Sequence, residues 1–409
     1  MTTGNWRQLP SHRSWLMRQA GALFDFYQFR AINPAGGFFE LDGVGQPAGH
    51  VRQLHATTRM VHCFSIGHLL GLPGADAIVD HGMNFLWQRH RDQRHGGYVW
   101  SLDDDSIKDD TKQAYGHAFV LLAASGAKVV GHPLADEMLA DITGILESRF
   151  WEEQHGAVAE EFARDWSPLT LYRGQNSNMH LTEALMAAFE ATADQTYLRK
   201  AERIADLIIN RHAASMDYRV AEHFDHNWQL DHAYRGSDIF RPSGTTPGHW
   251  LEWSRLLLQL WVLGGKKLAW LPGASAKLFR NAVNLGWDKD RGGFFYTLDW
   301  DNQPLLRHKL WWPASEAIGA ATWAWAHTAD PFYEEWYRRI WGFCNNHLID
   351  HQHGGWHHEL GHDLKPAHDL FTGKPDIYHA LQACLIPLFP ATGSLTRVIQ
   401  ETGGQSMGH

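Results

Sequence analysis

The chain has 409 residues, with 36 Lys and Arg against 45 Asp and Glu and a formal net charge of −9. This modest acidity without a basic stripe argues against nucleic acid as a partner, and no apolar run is long enough to span a bilayer. Met1 to Trp15 lacks a hydrophobic signal region, which leads us to expect a cytoplasmic protein. Cys63, Cys344 and Cys384 are too widely spaced for a disulfide framework or a zinc site, and Cys63 and Cys384 read as small core residues.

In chain order, an amphipathic helix over 14–29 is followed by a turn phrase, Gly36-Gly37-Phe38-Phe39-Glu40, in which small residues precede alternating aromatic and polar ones. Two helices, 55–71 and 75–91, lead to a second copy, Gly96-Gly97-Tyr98-Val99-Trp100. Helices 110–127 and 133–151 come next, then Val158-Ala159-Glu160-Glu161-Phe162, helices 179–192 and 196–212, and the matching Val220-Ala221-Glu222-His223-Phe224. Helices 247–263 and 273–285 precede Gly292-Gly293-Phe294-Phe295-Tyr296. Helices 313–328 and 331–348 precede Gly354-Gly355-Trp356-His357-His358, and 376–388 is the last helix. The phrase recurs about every 60 residues, with one interval of about 75, so one supersecondary unit is repeated. Helix 376–388 can pair with 14–29 to close a ring. The expected fold is all-α: an (α/α)6 barrel of six helix hairpins with short β-turn segments at one end. The unbroken repeat makes residues 1–409 one domain, although length alone permits two.

The first helix of each pair is the more apolar, as an inner helix should be. Its start nevertheless carries polar residues: Arg59, Tyr115, Asn176 with His180, His249 with Glu252, Trp312 with Glu316, and His379. Residues three or four apart share a helix face. In a barrel with parallel inner helices these starts meet at one mouth. One such His or Asn alone reads as a cap or a satisfied core group. Six units each placing polar groups at the same point predict a pocket, and three His with two Glu suit proton transfer near neutral pH. The 28 His and 20 Trp are unusual, and most Trp are expected in packing. The long segment 223–244 reads as a lid or as a subunit contact in a homo-oligomer.

Three other readings compete. His358-Glu359-Leu360-Gly361-His362 matches the zinc-protease pattern, but that chemistry needs a helix, and Gly361 and the preceding Gly pair oppose one. Glycoside hydrolysis needs two carboxyl groups about one bond. Glu252 and Glu316 could supply them, yet each shares a face with a pocket His or Trp and looks more like its orienter. A sugar-binding scaffold would not need three pocket His.

At these helix starts the chain resembles the N-acylglucosamine 2-epimerase superfamily. The matching stretches are Thr57-Thr58-Arg59-Met60, Asn176-Ser177-Asn178-Met179-His180, Pro247-Gly248-His249-Trp250-Leu251-Glu252-Trp253, Trp312-Pro313-Ala314-Ser315-Glu316 and Asp376-Ile377-Tyr378-His379. The runs 172–180 and 246–250 are most similar to the mannose and sulfoquinovose isomerase branch. The resemblance implies a cofactor-free, metal-independent reaction on a free monosaccharide: D-mannose and D-fructose interconverted through a cis-enediol(ate), or 2-epimerisation in the sister branches. It implies His379 as the base at C2. His249, held by Glu252, would open the ring and shuttle protons, or reprotonate C2 in an epimerase. Arg59 and His180 would stabilise the oxyanion, Tyr115, Asn176 and Glu316 would hold hydroxyls, and Trp312 would pack on the sugar. His55 and Pro375 depart from the sulfoquinovose pattern, which favours an unmodified hexose such as mannose. No added cationic cluster is evident for a sulfonate, though Arg241 remains a candidate.

Overall fold

In a computed structural model, which describes residues 5–104, 106–236 and 239–403, the helices are α1 (Pro10–Gln28), α2 (Leu54–Leu69), α3 (Ala75–Phe85), α4 (Ala114–Val129), α5 (Ala135–Ile145), α6 (Gln175–Thr192), α7 (Gln195–Ala205), α8 (Pro247–Leu263), α9 (Trp270–Asn281), α10 (Trp311–Thr328), α11 (Pro331–Phe343), α12 (Tyr378–Leu385) and α13 (Leu395–Thr402). The even-numbered ones are the apolar stretches. Burial runs unbroken from Ala114 to Ala127 in α4 and from Trp311 to Ala324 in α10, so these helices are packed on all sides. In α7 only the stripe Tyr197, Leu198, Ala201, Ile204 and Ala205 is buried, the pattern of a helix with one face to water. Contacts run α2–α4–α6–α8–α10–α12 and back to α2, with α3, α5, α7, α9, α11 and α1 each mainly against one inner helix. The expected (α/α)6 barrel is therefore formed, and α1 with α12 completes it.

Differences from expectation lie at element ends. Five outer helices widen into π turns, Leu86–His90, Leu146–Phe150, Asp206–Ala213, Ala282–Gly286 and Cys344–Leu348, which the apolar periodicity merged with the helix before them. Helix α6 starts four residues before the expected 179, and α12 gives way to a 3-10 turn at Ile386–Leu388. Helix α13 was not anticipated. It is tied to the C-terminal ends of the inner helices: the Ser394 amide donates to the Glu190 carboxylate (3.1 and 3.0 Å), and Gln400 Nε2 donates to the Val129 carbonyl (3.2 Å).

The turn phrases close the opposite end. Gly37, Gly97, Gly293 and Gly355 sit at φ between +69° and +75°, a region a side chain rarely adopts. The carbonyls of Trp100, Glu160, Glu222 and His358, at one position of the second, third, fourth and sixth phrases, accept the first amide of the preceding inner helix: Leu54, Ala114, Gln175 and Trp311 at 2.9, 2.8, 3.1 and 3.2 Å. Each of these four phrases thus pins the entry of an inner helix. Buried ion pairs lie at three inner-helix entries, those of α4, α10 and α12: Lys112–Asp92 (3.0 Å), Lys309–Asp288 (2.9 Å) and Lys374–Asp350 (2.6 Å). Each Asp precedes its Gly pair, and each Lys lies just before an inner helix.

Candidate active site

The inner-helix N-termini open on a cavity of about 170 Å³. Arg59, Tyr115, Asn176, His180, His249, Glu252, Trp312 and His379 all line it. Glu316 does not. It lies one layer behind, where Oε1 accepts from His379 Nδ1 at 2.9 Å and Oε2 from Arg255 Nε at 2.9 Å. Both oxygens are taken, so the expectation that Glu316 holds a substrate hydroxyl is corrected: it orients His379.

This pairing sets the state of His379. Burial lowers its pKa, and the bond to Glu316 offsets only part of the effect. With Nδ1–H donated to Glu316, the unprotonated nitrogen is Nε2, the arrangement of a poised general base. Burial alone would raise Glu316, but Arg255 and His379 outweigh it and hold it at about 2.

His249 is oriented differently from expectation. Its Nδ1 lies 2.9 Å from both oxygens of Glu222, not against Glu252. Gln175 Nε2 donates to the same carboxylate at 2.8 Å, and Trp253 Nε1 donates to Gln175 Oε1 at 2.8 Å. His249 and Glu252 do share a helix face, but the shorter reach runs across the barrel to the fourth turn phrase. Glu222 was visible there, matched to Glu160 of the third phrase, and nothing in the linear spacing tied it to His249. Trp312 lies 4.9 Å from the His249 ring and 6.1 Å from the His379 ring, so it can support a sugar between them.

Arg59 donates to Asp376 Oδ2 (2.9 Å) and to the Tyr115 hydroxyl (2.8 Å), and its guanidinium lies 4.4 Å over the Phe119 ring. Burial, against the pull of Arg59, raises the Tyr115 phenol to about 12. The phenol therefore accepts from Arg59 and keeps its proton to donate into the cavity. Asp376 also lines the cavity. It stood in the Asp-Ile-Tyr-His run without an assigned role.

Glu252 is 1% exposed, and neither of its oxygens makes a hydrogen bond among the described residues. His180 Nδ1 is 3.5 Å away and Arg255 Nη2 3.9 Å. Burial first, then the charge of Glu316, pushes the Glu252 carboxyl well above the usual range, and burial with Arg59 pushes His180 well below its own. Both shifts favour the neutral forms, and a protonated Glu252 carboxyl is a donor in the cavity wall. His180, Glu183 and Glu252 could bring ligand atoms within 4.8 Å of one another. Glu183 is already bonded to Arg255 (3.0 Å) and to the Tyr378 hydroxyl, and Arg255 supplies the positive charge there.

The zinc-protease pattern does not form. Glu359–Leu360 is a short strand, His358 lies flat on Trp311 (3.7 Å between ring centres, 10° between planes), and His362 Nε2 is 3.9 Å from Asp288. Arg241 is paired with Glu161 (2.9 Å) and Glu160 (3.6 Å) and lies over Tyr172, so its charge is already satisfied. In the segment 223–244, Phe240 and Pro242 line the cavity and the Tyr296 hydroxyl donates to the Ile239 carbonyl at 2.8 Å. Ser237 and Asp238 lie outside the described residues.

The family model for N-acylglucosamine 2-epimerase (GlcNAc 2-epimerase) matches residues 36–383. The chain belongs to this family. Within it, the chain is 42% identical over 403 residues to a D-mannose isomerase of Pseudomonas cannabina pv. alisalensis, covering 96% of this chain and 97% of that one. It is 41% identical over 406 residues to a D-mannose isomerase of Thermobifida fusca, covering 97% and 99%. A crystal structure of D-mannose isomerase superposes with a TM-score of 0.86 at 35% identity, over 92% of this chain and 97% of the other.

Proposed function

We propose that the chain is an aldose–ketose isomerase that interconverts D-mannose and D-fructose through a cis-enediol(ate), with the whole barrel as one catalytic domain. The observation that carries the reading is the full-length similarity to D-mannose isomerases, and two imidazoles facing one cavity, each oriented by its own carboxylate, support it.

In this mechanism His249, through its Nε2, opens the pyranose by moving a proton between O1 and O5. His379 Nε2 takes the proton from C2 of the open aldose. The C2–H bonding pair becomes the C1=C2 double bond, and the carbonyl pair moves to O1. Negative charge on O1 meets the Tyr115 hydroxyl backed by Arg59, with Glu252 as a neutral donor beside His180, and donors placed where charge develops are worth most in the transition state. His379 returns the proton to C1, while His249 carries the O2 proton to O1. Trp312 packs on the sugar, and Asn176 holds a hydroxyl. No step calls on a metal or a cofactor, and activity is expected to survive exhaustive chelation. The Glu161 and Glu160 pairing of Arg241 supports an unmodified sugar over a sulfosugar, and Phe240 and Pro242 in the wall support 223–244 as a lid. A cytoplasmic location is part of the same reading.

The direct test is kcat/KM on D-mannose beside cellobiose, N-acetylglucosamine and sulfoquinovose. Mannose is expected to be preferred by at least tenfold. A preference for any of the others would overturn the assignment.

A further inference from the structure

Glu359 belongs to the motif that the fold dismantles, yet its own surroundings are not those of an ordinary strand residue. Leu310 pairs with Glu359 and Lys309 with Leu360 in a two-strand ladder, so His308, two residues before Leu310, shares a face with Glu359. Glu359 Oε2 accepts the amides of Leu370 (2.9 Å) and Phe371 (2.8 Å). Oε1, in a side chain with no exposure, makes no hydrogen bond among the described residues and faces His308 Nε2 at 3.6 Å. Asp369 Oδ2 is 3.2 Å from the same nitrogen.

We propose that His308 Nε2, Glu359 Oε1 and Asp369 Oδ2 form a binding site for a divalent first-row cation of the zinc class. The three ligand atoms lie within 4.8 Å of one another. Zinc bonds of roughly 2.0–2.1 Å at tetrahedral angles place ligand atoms roughly 3.3 Å apart, close to the 3.2 and 3.6 Å observed. One imidazole and two carboxylates are a donor set that such cations accept. A buried carboxylate oxygen without a hydrogen bond is costly, and a cation would satisfy it. The site does not use His358 or His362.

The site is joined to the cavity. Glu359 holds the amides of Leu370 and Phe371, both of which line the cavity, and Phe371 packs on Trp311 at 5.3 Å. A cation bridging Asp369 to Glu359 would clamp this segment to the barrel rim, acting on the shape of the wall and not on the reacting atoms.

The test is calorimetric titration of Zn2+ into the metal-stripped full-length protein, with Co2+ absorption as a second readout. Wild type is expected to take up one equivalent that His308→Ala and Asp369→Asn each weaken at least tenfold. Asp369 is mostly exposed, so its variant should fold, and His362→Ala should bind like wild type. Binding unchanged in both His308→Ala and Asp369→Asn, loss in His362→Ala instead, or no saturable uptake by wild type would each overturn the proposal.

Discussion

Glu252 and Glu316 lie one helical step apart in the barrel, on neighbouring inner helices, and should respond oppositely to the same substitution. Glu316 is ionised, with one oxygen on His379 Nδ1 and the other on Arg255 Nε, each at 2.9 Å. In Glu316→Gln the amide oxygen must turn to the cation Arg255, and the NH2 group then faces Nδ1. Nδ1 becomes an acceptor, the proton moves to Nε2, and the base is blocked. A hydrogen bond to a charged group is worth about 1.5–3 kcal/mol, and a wrong tautomer in a serine-protease triad costs roughly 10⁴ in kcat. We expect a loss of about 10²–10⁴ in kcat with KM little changed. Burial and the charge of Glu316 favour the protonated form of Glu252, so Glu252→Gln replaces one neutral donor by another and should stay within about tenfold of wild type. The assay is steady-state formation of fructose from mannose. Glu316→Gln within twofold of wild type, or Glu252→Gln the more damaging of the two, would refute the assigned charge states.

Glu222→Gln should lower kcat/KM by roughly 10- to 100-fold, because His249 loses a charged partner worth about 1.5–3 kcal/mol; unimpaired turnover would return the orienting role to Glu252. Lys309→Met should cost about 3–5 kcal/mol in urea unfolding by leaving Asp288 buried without its cation, and a change under 1 kcal/mol (about the value of a surface pair) would show that the pair is not holding the α10 entry. Stability should also fall in mild acid. Burial lowers His55, His117 and His358 to about 3 and His62 and His90 to about 4. The unfolded chain takes up these protons near pH 6.5 and the folded one does not, so this stability is present above pH 6.5 and lost as pH falls towards 3–4. Glu190, raised by burial to about 7, opposes the trend by gaining its proton in the same range. The net loss from pH 7 to 5.5 should be on the order of 4 kcal/mol at up to about 1.4 kcal/mol per group and pH unit, and urea midpoints that stay level across that range would contradict it.

The barrel was legible because its signal is periodic: apolar stripes recur in pairs, and Gly pairs announce four of the six turns. Shared helix faces correctly brought Asn176, His180, His249, Glu252 and Trp312 to one cavity. What stayed hidden runs between units. Glu222 reaches His249 from another hairpin, Glu316 faces backward to His379, and Arg255, one turn below the mouth, joins Glu183 and Glu316. Linear spacing reports which residues share a face but not which neighbour across the barrel they meet. An Asp precedes three of the four Gly pairs, at 92, 288 and 350, yet only the fold reveals its lysine. Helix α13 carries no turn phrase, so the repeat could not announce it.

The most direct measurement of the proposed chemistry is NMR of D-mannose incubated with the purified protein in D2O. Fructose as the main product, with deuterium entering only at C1, is the predicted result. Glucose deuterated at C2 would contradict it by showing proton return to the opposite face of C2, the work of a 2-epimerase.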